Sequence, residues 1–168
     1  KIRNVIQSNI LKNQPLNHCL IQLYRSGKDL ISEHADKTLD IKKGTFIVNY
    51  SSGASRVMVL RSKDPIRKEG DKNIYQIQKV TLPHNSVFIL GWETNLKWKH
   101  AINQDKRIDV LKRPDELAYD TQRISLTFRH VDTFLREDGK IFGQGGIYKS
   151  EDELKDGKEE PSQDEQYQ

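Results

Sequence analysis

The shortest stretch of this chain that could do chemistry is "HAD" at residues 34–36, a histidine and an aspartate two apart. Two neutral imidazoles and one carboxylate on one face of a divalent metal leave open positions, and that donor set suits non-haem Fe(II). His34 and Asp36 would supply two donors, and a distant histidine the third. His100, in "TNLKWKHAI" (94–102), is the candidate, although His18, His84 and His130 show that histidine is not scarce. The open positions would admit a chelating cosubstrate and oxygen. The plain alternative is a strand end whose charged residues face water, since H-x-D also arises by chance. A second stretch, "RISLTFR" (123–129), alternates as a strand does. Ile124, Leu126 and Phe128 face one way, and Arg123, Ser125, Thr127 and Arg129 the other. Two arginines on one face could grip a small dianion only by bending inward. Otherwise they are surface residues on a solvent-facing strand.

The elements that must carry these residues are short and β-rich. Strands are expected at 16–26, at 72–83 up to Pro83, at 85–92 and at 123–131. Residues 44–63 read as two β segments broken at Ser52-Gly53. Helical signals are weak, the best being a turn or loop at 113–122. Many short strands with turn punctuation predict a sandwich or barrel. "IFGQGGIYK" (141–149) lacks the spacing and the Gly-Lys-Ser/Thr end of a phosphate loop, and reads as a turn packing the chain end. Cys19 reads as a small core residue in a strand. Trp92 and Trp98 could stack on bases but more often such residues are core.

The bulk numbers bound the rest. A chain of 168 residues can bury one real core. One cysteine excludes an internal disulfide and fits a reducing, intracellular setting in cytoplasm or nucleus. No apolar run approaches the ~20 residues of a membrane-spanning helix. The last 18 residues hold eight acids against two lysines, so the first 150 carry +10 of an overall +4. Residues 1–150 are expected to form the core, and 151–168 an acidic disordered tail. The basic body could meet a polyanion or could simply be solvated.

Together "HADKTLD", "SSGASRVMVLRSK", "LGWETNLKWKH" and "RISLTFR" resemble the AlkB-like Fe(II)/2-oxoglutarate dioxygenases, from about residue 20 to about 131. The resemblance implies a mainly all-β double-stranded β-helix, or jelly roll, with minor helices. It implies His34, Asp36 and His100 as iron ligands. It implies Arg123 and Arg129 as the arginines that hold the 2-oxoglutarate carboxylates, a task suited to bidentate guanidinium. Tyr24 matches a tyrosine that hydrogen-bonds the cosubstrate, with Gln22 where asparagine is usual. Ser125 also replaces a frequent asparagine.

The implied activity is oxidative demethylation of N-alkylated nucleobases in DNA or RNA, using Fe(II), 2-oxoglutarate and dioxygen. Lys37, Thr38, Arg56, Arg61 and Trp98 are the expected substrate-side residues, with Arg56 and Arg61 equally readable as structural. Repair members commonly carry an acid where this chain has Thr38, which keeps a small molecule or a protein side chain open as the alternative substrate. A non-enzymatic binding module would need five site residues to survive by accident. Little sequence precedes Tyr24, so a strand-gripping region before the core is expected to be short, absent or cut away. A monomer is expected.

Overall fold

In a computed structural model, residues 1–12 and 14–155 are described. They fall into two compact units, one of residues 1–36 with 44–130 and one of residues 37–43 with the chain from 131 on.

In the first unit eight strands form two four-stranded antiparallel sheets. They are β1 (His18–Tyr24), β2 (Ile31–His34), β3 (Ile47–Gly53), β4 (Arg56–Glu69), β5 (Lys72–Leu82), β6 (Ser86–Leu90), β7 (Trp98–Ile102) and β8 (Arg123–Arg129). One sheet has the order β1-β8-β3-β6 and the other β2-β7-β4-β5. The chain passes from one sheet to the other at β1–β2, β2–β3, β3–β4, β5–β6, β6–β7 and β7–β8, which is the winding of a double-stranded β-helix, as expected. The break expected at Ser52-Gly53 is the β3–β4 corner. Gly53 has φ +99°, and a Cβ there would lie 2.2 Å from the Gln122 carbonyl oxygen, so only glycine fits.

The core has two parts. Between the sheets, Tyr24, Met58, Leu82 and Ile102 are buried together, with Ile31, Val80 and Phe88 against them. On the outer face of the first sheet, α1 (Ile2–Asn9) lays Ile6 onto Val48 and Phe128, with Leu11 and Leu16. Ile2 and Ile6 fall on one face at i, i+4 spacing, and burying the Ile6 side chain is worth about 1.5–3 kcal/mol. The remaining helices of this unit are short: α2 (Trp92–Lys97) and α3 (Pro114–Leu117). The α3 turn starts at Pro114 and is fixed by Glu116, whose carboxylate accepts the Arg113 backbone N–H at 2.7 Å. No helix among the described residues is long and apolar enough to cross a membrane.

β8 reverses the ordinary sense of its alternation. Arg123, Ser125 and Thr127 are buried between the sheets, while Ile124 is exposed and Phe128 is covered by α1. The polar face is therefore the inner one, and the solvent-facing reading of Arg123 and Arg129 is corrected. Cys19, expected in the core, is exposed on the outer face. Its neighbours Ile21 and Leu23 are exposed too.

The second unit holds the segment 37–43, a hairpin of β9 (Thr133–Leu135) and β10 (Ile141–Gly143), and α4 (Glu151–Lys155). The start of the acidic segment is thus helical, not disordered. Ser150 caps α4, its hydroxyl accepting the Glu153 N–H at 3.1 Å, and Leu154 is buried. Residues 156–168, where the rest of the expected tail falls, lie outside the described residues.

Candidate active site

A change of register creates the site. β2 and β7 are antiparallel, with Ile31 opposite Ile102 and His34 opposite His100. An unbroken register from Ile31 would put Lys99 opposite His34. The one-residue shift between them is a β-bulge, which re-aims the side chains beyond it so that two imidazoles share one face. Their ring centroids are 4.3 Å apart at 53°.

Asp36 completes the set from just past the end of β2. Its Oδ1 lies 3.7 Å from His34 Nε2 and 3.7 Å from His100 Nε2. One donor atom from each of the three residues falls within 4.8 Å of the others. His34 Nδ1 lies 2.7 Å from the Ser32 carbonyl, a contact that requires the N–H on Nδ1 and leaves Nε2 as the atom facing Asp36. Burial first, and then the neighbouring His34, holds the His100 imidazole below its usual range, with Asp36 opposing. A neutral imidazole is the form that binds a metal. Two imidazole nitrogens and one carboxylate oxygen, all within 4.8 Å of one another, fit the Fe(II) donor set.

Two further groups hold Asp36 in place, and neither role was legible in the sequence. Asn95 of α2, 1% exposed, accepts the Asp36 backbone N–H at 3.0 Å and donates to the Asp36 carbonyl at 3.0 Å. Arg129 donates from Nε at 2.9 Å and from Nη2 at 2.7 Å, both to Asp36 Oδ2. Arg129 was expected on the cosubstrate. Here it occupies the outer carboxylate oxygen and leaves Oδ1 to the imidazoles.

The same inner surface continues into a cavity of about 510 Å3, its open mouth included. His34, Asp36, His100, Gln22, Tyr24, Ser125 and Arg129 all line it, as do Asn49 and Thr127. Apolar walls come from Ile31, Met58, Phe88, Leu90 and Ile102. Asn49 ties the polar side together. Its Nδ2 donates to Ser125 Oγ at 2.6 Å and to Thr127 Oγ1 at 2.9 Å, and its Oδ1 accepts from Arg123 Nη2 at 3.1 Å.

Arg123 stands apart among the described residues as a fully buried cation. It is 1% exposed, and only its Nη2 is bonded by these partners, Asn49 and Ser51 Oγ at 2.8 Å. Nε and Nη1 are buried without a well-aligned hydrogen-bond partner, the Tyr24 side chain giving them a weaker polar contact. No carboxylate pairs with Arg123 among the described residues. Its guanidinium carbon sits 5.1 Å from the Tyr24 ring centroid, a cation–π contact that compensates only part of the desolvation. Burial pulls its pKa below the usual value to about 10. A buried cation with spare donors and no counter-charge is costly alone and is completed by an anion. A carboxylate of 2-oxoglutarate fits those donors.

The expected substrate-side residues are not gathered in this cavity. Arg56 is buried and structural: its guanidinium donates to the carbonyls of Ser26, Asp29 and Asn103 at 3.1, 2.9 and 2.8 Å. Arg61 pairs with Glu33 and lies 4.4 Å over the Tyr75 ring. Trp98 opens β7 opposite Ser62, half-buried. Lys37 and Thr38 belong to the second unit.

The family model described as 2OG-Fe(II) oxygenase superfamily matches residues 1–129. The DNA oxidative demethylase ALKBH2 of Bos taurus is 30% identical over 123 residues, 73% of this chain and 40% of that protein. The alpha-ketoglutarate-dependent dioxygenase alkB homolog 3 of Homo sapiens is 28% identical over 130 residues, 77% of this chain and 41% of that protein. A solved structure titled "The structure of OsALKBH1" aligns with TM-score 0.44 at 21% identity, covering 77% of this chain and 61% of that one. The chain spans about two fifths of the length of these curated relatives. With its iron-type donor set and the family match over residues 1–129, the chain belongs to the 2OG-Fe(II) oxygenase superfamily.

Proposed function

We propose that this protein is an Fe(II)- and 2-oxoglutarate-dependent dioxygenase that removes N-alkyl groups from nucleobases in DNA or RNA. The observation that carries the reading is the pairing of two features on one inner surface: the His34–Asp36–His100 donor set and the buried, half-satisfied Arg123 guanidinium. When bound, iron and 2-oxoglutarate supply the coupled reduction of dioxygen that yields succinate, carbon dioxide and a hydroxylated substrate carbon. An N-methyl group hydroxylated in this way leaves as formaldehyde.

The chain's own residues do the positioning. His34, Asp36 and His100 would hold the metal on one face, leaving its other face to the cavity. Arg123 would take the far carboxylate of the cosubstrate in charge-assisted bonds, with Tyr24 beneath it and Asn49 and Ser51 fixing its angle. Arg129 keeps Asp36 from rotating away. The apolar wall of Met58, Phe88 and Leu90 excludes water around the reacting groups.

The nucleobase reading is supported by the +10 charge of residues 1–150 and by the name of a relative, DNA oxidative demethylase. Thr38 favours a second reading, in which the same chemistry acts on a small molecule or a protein side chain. The test is formaldehyde release from a methylated single-stranded oligonucleotide by the wild type and by His34→Ala. Formaldehyde from the wild type and none from the variant supports demethylation. Succinate formed at the same rate with and without oligonucleotide, and no formaldehyde, moves the substrate to the second reading.

A further inference from the structure

Four buried polar side chains form one hydrogen-bonded wall on the inner surface of the first sheet. Asn49 and Ser51 come from β3, Ser125 and Thr127 from β8, and none is more than 9% exposed. The antiparallel register sets Ser51 opposite Ser125 and Asn49 opposite Thr127. Asn49, Ser125 and Thr127 border the cavity that His34, Asp36 and His100 also line.

One residue settles the direction of every bond in this wall. A guanidinium can only donate. Arg123 Nη2 lies 3.1 Å from one end of the Asn49 amide, so that end is the oxygen and the other is the NH2. The Ser51 hydroxyl donates to the same oxygen at 3.4 Å. Both amide hydrogens are then spent, one on Ser125 Oγ at 2.6 Å and one on Thr127 Oγ1 at 2.9 Å. Each of those hydroxyls accepts from Asn49 and keeps its own hydrogen to give on the side away from the amide. Arg123 makes the same demand, since its Nε and Nη1 lack a well-aligned acceptor. The wall therefore presents donors, with a buried cation bonded to it.

We infer that Asn49 is the residue that sets this polarity. By holding the Ser125 and Thr127 hydroxyls as donors, it selects a 2-oxo acid whose far end is a charged carboxylate over one whose far end is neutral. The inference rests on the reading of the cavity as the 2-oxoglutarate site. A carboxylate only accepts, so it satisfies both hydroxyls. An amide of the same size brings an NH2 to the same wall and sets hydrogens against hydrogens, which is discrimination by an unpaired polar group. Gln22, opposite Ser125 in the β1–β8 register, also borders the cavity and can turn its amide to suit either ligand, so it does not make the choice.

Asn49→Asp keeps the shape and reverses the demand. A carboxylate has no hydrogen to give, so Ser125 and Thr127 must turn theirs toward it, and Arg123 gains a counter-charge. The experiment is calorimetric titration of the Fe(II)-loaded, oxygen-free protein with 2-oxoglutarate and with its 5-amide. The wild type is expected to prefer the diacid by at least about 100-fold. Asn49→Asp should weaken 2-oxoglutarate at least about 30-fold and leave the 5-amide within about threefold, with Fe(II) affinity within about twofold. General damage to the site would weaken both ligands alike, so an unchanged preference overturns the inference. A wild type that binds the two ligands equally overturns it too. Thr127→Val adds no charge, removes one donor at nearly constant shape, and serves if Asn49→Asp does not fold. It should weaken 2-oxoglutarate at least about fivefold more than the 5-amide, and equal effects on the two count against the donor wall. If the wild type does not bind 2-oxoglutarate, the reading of the site fails, and glutarate added to metal-free protein then tests the wall alone. A urea midpoint raised by glutarate in the wild type and not in Asn49→Asp supports the donor wall, while equal shifts in both, or none in either, overturn it.

Discussion

Arg123 is protonated at neutral pH in both folded and unfolded chains, but the folded site disfavours that form. A cation whose pKa falls on folding binds protons less well in the folded state. The penalty is therefore fully present at neutral pH and is relieved only as pH rises above about 10. An anion relieves it at any pH. Arg123→Met is thus expected to weaken 2-oxoglutarate binding by at least about 30-fold by calorimetry, through loss of a charged hydrogen-bond pair. Fe(II) affinity should change little. The urea midpoint of the metal-free variant should be no lower than that of the wild type, because a desolvated charge has been removed. Arg129→Ala should weaken Fe(II) binding by about 10- to 100-fold, the usual effect of removing a partner that orients a metal ligand. His34, Asp36, His100 and Arg123 were picked out in the sequence by the resemblance, and the structure brings the first three together. Asn95 and Asn49 were not, since an amide that bonds backbone or a neighbouring hydroxyl needs no fixed spacing to any motif.

At the level of elements, α2 matters most for the site and was hidden. Residues 92–97 follow a half-exposed strand and lead straight into another, and six residues are too few to show helical periodicity. Asn95→Ala removes both bonds to the Asp36 backbone and should lower Fe(II) affinity about tenfold, read by competition with a chelator. α1 was missed for a related reason, since eight residues without a capping side chain carry little signal. Ile6→Ala should cost about 2–4 kcal/mol of stability by urea unfolding and leave metal binding intact, which separates the outer core from the site. The alternation of β8 was read correctly and its direction was not. Periodicity tells which residues share a face, but only the β3–β8–β1 pairing, which surrounds Arg123 and Ser125 with Asn49, Ser51 and Tyr24, says which face is inside.

For the molecule as a whole, the strand pattern was enough to expect a sandwich or barrel, and the resemblance supplied the winding that the structure has. The division of the chain at Lys37 and Val131 was not visible, because the contacts that define the second unit join residues about a hundred positions apart. Charge acts at this scale too. If residues 1–150 hold nucleic acid through their +10 surplus, oligonucleotide affinity should fall at least about tenfold between 50 and 200 mM salt, the counter-ion release of about three phosphate contacts. A flat salt response in fluorescence anisotropy would favour a small uncharged substrate.

The most direct test of the central claim is an anaerobic titration of the protein with Fe(II) and then 2-oxoglutarate, following the visible charge-transfer absorption of an iron chelated by the keto acid. The wild type is expected to develop the band at one equivalent of iron, His100→Ala to lose it, and Arg123→Met to recover it only at much higher 2-oxoglutarate. No band in the wild type, or an undiminished one in His100→Ala, would contradict the site described.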